Sequence, residues 1–367
     1  MLSNLIEQVI DLQIRNVTSN TYTRDLNTIL ILAKHTVFTA PELYREYTNS
    51  LSALDAGFEN YSYVYEALST LFSQEVKPAK VIVGRGVTAT AGDYFTAYEQ
   101  MLMIPQGWLW LISDLRDVDE QIEIAKLGES NKKFYLAATH SADALNPTIT
   151  TDLGSRVKAL SLNNTATWYD DALVPTILPD FVPNNTATLP NSSEAAILGR
   201  CANGTAGTVN FRLKKLIGVK VPTSIDTNTK LTTLNNKNYN FAATLEGQTR
   251  SYGSGKVGSG EWIHIRLGIT WLEVGMREDL FYTVADTEKL VYENEGAAAI
   301  ESAIRSRLSR GQKIGIIAKD SPIEVSVPNV LDLTPQQRGT GILPDVTFSA
   351  RMSGAIQGAI VRGGVYL

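Results

Sequence analysis

Four short apolar runs punctuate the first 140 residues: TILILA at 28–33, AKVIVG at 79–84, WLWLIS at 108–113 and KFYLAAT at 133–139. None alternates with polar residues, which marks strands buried on both faces of a sheet. Amphipathic stretches at 41–53, 60–74, 91–104 and 117–128 lie between the runs and read as helices, the first opening with Pro41 and the third with Gly92-Asp93. Strand and helix patterns in alternation predict an α/β layer on a mainly parallel sheet.

The pattern changes on either side of this region. Residues 1–25 alternate in part, with Val9, Asp11, Gln13 and Arg15 set against Ile10, Leu12 and Ile14, and read as a strand-like arm. Residues 146–192 are rich in Thr, Asn, Asp and Pro, including LVPTILPDFVPNN, and predict an irregular junction between a 26–145 domain and a 193–345 domain. The second domain is α+β in pattern: helices at 193–203 and 227–235, strands at 207–213 and 238–245, a Gly-rich hairpin SYGSGKVGSGEW, then helices near 265–280 and 286–310. A strand-like tract, DVTFSARMSGAIQGAIVRGGVYL, closes the sequence, and residues 346–367 read as a second arm.

Length and composition narrow the function classes. A chain of 367 residues exceeds what one hydrophobic core holds, so two or three domains are expected. Its 33 basic and 38 acidic residues are interspersed, so no basic field exists for nucleic acid. The opening MLSNLIEQVIDLQIRN lacks the basic, apolar and small-residue regions of a secretory signal, and no run approaches a membrane span, which predicts a soluble protein made in a cytoplasm. A lone Cys201 gives neither a disulfide framework nor a thiolate metal cluster. The five N-x-S/T matches at Asn16, Asn163, Asn184, Asn191 and Asn203 read as turns.

Candidate chemistry is sparse. His35, His140 and His264 each sit beside a strand pattern rather than at metal-ligand spacing and read as satisfied structural imidazoles. GSGKVGSG lacks the phosphate-loop arrangement, since Val257 follows Lys256 and Arg250 stands where the first Gly belongs, and it reads as a flexible hairpin tip. Gly84-Arg85-Gly86 follows a strand, but Ala89 takes the third glycine position of a dinucleotide loop. Asp114, Asp117, Asp119 and Glu120 suit either Mg²⁺ or a helix N-terminus, with capping favoured. Cys201, inside EAAILGRCANG, reads as a buried inert thiol. No catalytic, cofactor-binding or metal residues are therefore assigned, and no cofactor is expected.

Four longer segments carry a resemblance: EAAILGRCANGTAGTVNFRLKKLIGV, TKLTTLNNKNYNFAATLEG, GSGEWIHIRLGITWLEVGMREDLF and LPDVTFSARMSGAIQGAIVRGGVYL. In their order and spacing they resemble the contractile tail sheath proteins of myophages, in the compact subgroup with few inserted domains. Lys215-Leu216-Ile217-Gly218-Val219, Asn238-Tyr239, Gly260-Glu261-Trp262-Ile263 and Ala355-Ile356 match the recurring pattern best. Many relatives carry an Asp two residues after that Trp-Ile core; here His264 occupies the neighbouring slot.

The resemblance implies a mainly parallel α/β layer, an α+β sheath core and two extended strand arms. It implies a structural, non-enzymatic subunit of a phage tail, assembled in the host cytoplasm as six-subunit rings stacked helically, with tube, baseplate and tail terminator proteins as partners. Neither nucleic acid nor membrane insertion enters. Val9, Ile10, Leu12 and Ile14 at one end, and Ile356, Ala359, Ile360, Val361, Val365 and Tyr366 at the other, would add strands to neighbouring subunits. Fully extended, residues 1–20 would reach roughly 65–70 Å. The last predicted helix is acidic early (Glu288, Glu293, Glu295) and basic late (Arg305, Arg307, Arg310), which suits its own dipole or contact between rings. Two alternatives stand: the sheath of a headless injection or secretion device, and a nucleotide-binding enzyme resting on Gly84-Arg85-Gly86 and Asp114.

Overall fold

A computed structural model of the chain describes residues 26–38, 41–85, 93–104, 107–172 and 192–358. The chain forms two compact units, Met1–Tyr282 and Thr283–Leu367.

The first unit is built on eight strands: β1 (Ile29–Leu32), β2 (Tyr44–Tyr47), β3 (Val81–Gly84), β4 (Trp110–Ser113), β5 (Phe134–Thr139), β6 (Thr165–Tyr169), β7 (Tyr239–Leu245) and β8 (Gln248–Gly253). They form one sheet in the order β2-β3-β1-β4-β5-β6-β7-β8, with the six inner strands parallel and the two outer strands antiparallel to their neighbours. Its helices are α1 (Leu51–Asp55), α2 (Tyr63–Phe72), α3 (Asp93–Met101), α4 (Val118–Ser130), α5 (Leu153–Ala159), α6 (Ser193–Cys201), α7 (Asn228–Asn236) and α8 (Ile263–Ala285), the last running three residues into the second unit.

Strand alternation divides the core into two layers. Ile29 and Ile31 of β1 point into a cluster with Leu68 and Leu71 of α2, Ile197 and Leu198 of α6, Phe211, Leu216 and Leu267. Leu30 and Leu32 point the other way, toward Tyr94 and Tyr98 of α3, Ile122 and Ile124 of α4, and Val157 of α5. A further cluster of Tyr169, Tyr239 and Phe241 packs with Leu234 of α7. Every residue of β1, β4, β5 and β6 is buried, as strands covered on both faces require.

Several elements depart from the sequence expectations. The stretch 41–53, expected as a helix, holds edge strand β2 followed by the short α1; Tyr44-Arg45-Glu46-Tyr47 pairs antiparallel with β3. The expected irregular junction at 146–192 contains α5 and β6 among its described residues, and β6 lies inside the sheet between β5 and β7. One sheet therefore crosses the expected 145/193 boundary. The 207–213 segment is not a strand, and the hairpin turns at Glu246-Gly247, between β7 and the unforeseen β8.

The second unit contains α9 (Asn294–Lys313), β9 (Glu324–Ser326), the one-turn helix α10 (Pro335–Gly339) and β10 (Thr347–Ser349). Here the expected 286–310 helix is displaced: α8 continues to Ala285, and α9 starts only at Asn294. A Cβ on Gly296 would fall 2.0 Å from the Val291 carbonyl oxygen, so only glycine lets the chain turn into α9 so closely. Ala297, Ile304 and Leu308 of α9 are buried, as are Ile316, Ile317 and Val330. β9 and β10 pair antiparallel, Phe348 opposite Val325, and Ile317 bridges Met352. Beyond Met352 the described residues have no regular structure.

Candidate assembly interface

In an open parallel sheet, ligands bind beyond the carboxyl ends of the strands where strand order reverses. Here that point lies beside β1, between β3 and β4. Asp114, just past β4, is buried there, but the Tyr94 hydroxyl donates to one of its oxygens and the Lys34 backbone N–H to the other, at 3.1 Å. Burial raises its pKa against those bonds. Gly84 donates no cradle either: its carbonyl accepts from His35 Nε2 at 2.9 Å, and Gly86 and Ala89 lie outside the described residues.

The other carboxylates of the cluster do not converge on Asp114. Asp117 caps α4, accepting from the Glu120 N–H at 3.0 Å, and Asp119 pairs with Arg156. Among the described residues no group of three or more His, Cys, Asp or Glu is disposed to hold a metal ion. The same region instead carries a buried pair that the sequence did not reveal. Arg116 Nη2 lies 3.5 Å from Glu194 Oε1, which also accepts from the Tyr63 hydroxyl at 2.9 Å. Burial pushes the Glu194 carboxyl up, while Arg116 pulls it back down.

The histidines and the cysteine divide. His35 is satisfied, its Nδ1 accepting from the Val37 N–H at 3.3 Å and its ring lying edge-on to Phe38 and Phe58. His140 is exposed at the surface, and the partial burial of its ring, followed by the charge of Arg116, lowers its pKa. His264 corrects the expectation: it is 5% exposed, and neither ring nitrogen reaches a partner among the described residues. Burial lowers its pKa, keeping the imidazole neutral. Cys201 is buried and its thiol is pushed up to about 12, leaving it unreactive.

The Gly-rich tract is a clasp rather than a free hairpin tip. Gly258 N–H donates to Thr165 O, Ser259 N–H to Leu162 O, and Gly255 N–H to Asn240 Oδ1 at 2.8 Å, while Val257 is fully buried. A Cβ on Gly258 would meet Val157 Cγ1 at 2.6 Å and the Leu162 carbonyl oxygen at 2.9 Å, so the tract lies flush against α5 and the strand beyond it. Close packing accounts for Gly258, and the left-handed backbone for Gly255 (φ 67°) and Gly260 (φ 89°).

The remaining functional surfaces are edges and ends. The outer border of β8 is covered by residues 213–216: Leu213 N–H donates to Ser251 O at 2.8 Å, Ser251 N–H to Lys214 O at 2.8 Å, and Leu216 N–H to Thr249 O at 2.9 Å. The opposite border, β2, is four residues long and carries Arg45 and Glu46, which discourage pairing. In the second unit, β9 and β10 form a ribbon of three residues each, and such a two-stranded sheet is marginal by itself.

Of the expected arm residues, Val9, Ile10, Leu12, Ile14, Ala359, Ile360, Val361, Val365 and Tyr366 lie outside the described residues. Ile356 is described, not in a strand, and 89% exposed. The expected arm from 346 begins instead with β10, paired to its own chain. In the charge-split segment, Glu288 precedes α9, Glu293 is its N-cap residue and Glu295 lies in its first turn, all exposed. Arg305 is exposed, pairing with Glu301 at 2.6 Å and donating to Ile323 O, while Arg307 is buried. Arg310 is exposed in the last turn.

No protein-family model matches the sequence, and no curated protein matches it by sequence. Solved structures do match. A chain of the anti-feeding prophage helical sheath in its contracted state is 15% identical, with a TM-score of 0.68 over 96% of this chain and 98% of that one. A chain of the PVC sheath complex, an extracellular contractile injection system in its contracted state, is 11% identical, with a TM-score of 0.66 over 97% and 96%. A chain in the 6-fold symmetrised anti-feeding prophage baseplate is 14% identical, with a TM-score of 0.67 over 97% and 98%. The chain therefore has the contractile-sheath fold along nearly its whole length.

Proposed function

We propose that the chain is the sheath subunit of a contractile tail, polymerising as stacked six-subunit rings around a tube and shortening to drive that tube through a host envelope. The observation that carries this reading is the two-way match: the sheath fold accounts for 96–98% of both this chain and the anti-feeding prophage sheath chain. The work is mechanical. Subunits assemble in an extended lattice, then turn as near-rigid bodies into a shorter and wider one, with the arms as hinges. No catalytic step enters, and the engagement of Asp114 by Tyr94 and Lys34 speaks against the nucleotide-binding alternative.

The arms join the subunits. Residues 1–25 and the segment after Met352 add strands to neighbouring copies, and the β9–β10 ribbon accepts them, gaining the third and fourth strands that make a small sheet stable. The exposed Glu288, Glu293 and Glu295 and the Arg310 end of α9 face adjoining rings. Tube, baseplate and tail terminator proteins are the further partners, and the particle is a phage tail assembled in the host cytoplasm.

Negative-stain electron microscopy of the purified chain tests the reading. Striated tubes or sleeves are expected, and a stable monomer at high concentration overturns it. A second reading, a headless injection device, is favoured by the structural neighbours, which come from the anti-feeding prophage and an extracellular contractile injection system. Particles recovered from producing cells decide between them by the presence or absence of a DNA-filled head.

A further inference from the structure

Residues 212–220, RLKKLIGVK, carry Arg212, Lys214, Lys215 and Lys220 and no acid. Leu213 and Ile217 are 39% and 38% exposed, and Lys215 between them is exposed too, so the outer face reads apolar, basic, apolar. An exposed segment of this kind normally moves. This one is fixed: the buried Gln74 side chain accepts from the Ile217 N–H at 3.0 Å and donates to the Ile217 carbonyl at 2.9 Å. Ser251 Oγ holds the Lys214 N–H at 2.9 Å, and Leu213 is kept at φ 64°, a left-handed conformation unusual for leucine. Strain and buried polar groups committed to a solvent-facing ridge point to a function for its shape.

The opposite face of the same sheet is its chemical complement. Helices α3 and α4 carry Asp93, Glu99, Asp119, Glu120, Glu123 and Glu129; Lys126, their one basic residue, pairs with Glu123 at 2.7 Å, and Arg156 of α5 pairs with Asp119, leaving the face net acidic. Between them runs a groove of about 360 Å³, floored by Tyr94 and Ile124, rimmed by Glu120 and Glu123, with Phe95 38% exposed. An apolar floor inside an acidic rim suits an aliphatic side chain flanked by lysines, which is the face that Ile217 presents with Lys215 and Lys220.

We infer that the Leu213–Lys220 ridge of one copy docks in the α3–α4 groove of the next, with Ile217 over the apolar floor and Lys215 and Lys220 at the carboxylate rim. Leu216 packs in one core layer and Tyr94 in the other, so ridge and groove lie on opposite faces of one sheet. Because the two patches face opposite ways, two copies cannot seat both contacts reciprocally in one dimer; the contact runs head to tail and generates rings or helical arrays. The inference rests on the sheath reading for its partner and adds which surfaces of the body meet, independently of the arms.

Cysteine cross-linking tests it on the full chain, because the single native Cys201 is buried. Ile217→Cys and Phe95→Cys variants are prepared separately, mixed and oxidised. A disulfide-linked dimer is expected in the mixture and in neither variant alone, with most of it lost at roughly 1 M salt, where the screening length falls to about 3 Å. Equal yields from a single variant, or no cross-link in the mixture, overturn the docking. Tubes without the cross-link remove this interface and leave the sheath reading standing; the cross-link without tubes does the reverse.

Discussion

The ammonium of Lys237 lies 2.7 Å from the Asp152 carboxylate, with side chains 8% and 1% exposed. The same nitrogen donates to the carbonyls of Asp143, Asn146 and Ile149 at 3.1, 2.8 and 2.8 Å. Asp152 in turn caps α5 through the Ser155 N–H and accepts from the Tyr239 hydroxyl at 2.9 Å. One lysine thus ties the coil after β5, the start of α5 and the head of β7 together. Lys237→Met leaves a buried carboxylate and three carbonyls without their donor, and should cost about 3–5 kcal/mol. Urea unfolding of the purified chain measures it, and an unchanged midpoint would show the tie to be idle.

Lys133 is buried against Trp108, its ammonium 4.7 Å from the indole centre. Burial lowers it from 10.5 to about 7. Between those values the unfolded chain binds the proton and the fold does not, so stability rises with pH across that window. Lys133→Met should remove this rise, with its advantage over the parent greatest near pH 7 and shrinking toward pH 10.5. Melting temperatures of the two proteins across the window give the slopes.

Glu66 of α2 works in the opposite sense. Burial raises its carboxyl from 4.5 to about 7, so the fold binds a proton that the unfolded chain has released, and stability falls as pH climbs through that interval. Glu66→Gln should match the parent near pH 4.5 and exceed it above pH 7. A constant difference across the range would exclude desolvation as the cause.

Ser193, opening α6, donates its hydroxyl to Asp170 at the end of β6 and accepts from Trp168 Nε1 at 2.7 Å. The residues flanking 173–191 are therefore held side by side. Replacing residues 173–191 with a short Gly-Ser linker should leave the melting temperature of the body nearly unchanged, since loop length enters closure entropy only logarithmically. Collapse of the cooperative transition would refute this.

Deleting residues 1–25, or 359–367, should yield a folded chain that no longer polymerises. The second cut spares β10, whose Phe348 pairs with Val325, so unit integrity and assembly are read separately. Circular dichroism reports the first and sedimentation the second; tubes from either truncation would remove the arms from the mechanism.

What the sequence disclosed follows from how strongly burial constrains it. The strands buried on both faces, such as WLIS of β4 and FYLAAT of β5, are continuous apolar runs and were evident. The edge strands were not. YREY of β2 and QTRSYG of β8 are only partly buried, and their polar content reads as helix or turn. β6 was hidden for another reason: TATWY sits in an Asn/Thr-rich stretch, and only pairing with both β5 and β7 makes it a strand. The glycines of the 253–260 tract announced a special backbone but not its role, because the packing of Gly258 against Val157 and Leu162 is a long-range fact. The Arg116–Glu194 pair joins residues 78 positions apart and leaves no local trace.

The two borders of the large sheet have a consequence for the chain before it is assembled. One border is occupied by residues 213–216 and the other is short and charged, so among the described residues the large sheet offers no long apolar edge strand to a stray copy. A crowded pool of such subunits can persist without fibrillar stacking. In the proposed sheath, growth would then be confined to deliberate contacts, and a lattice that changes length would keep its largest sheet out of the moving joints.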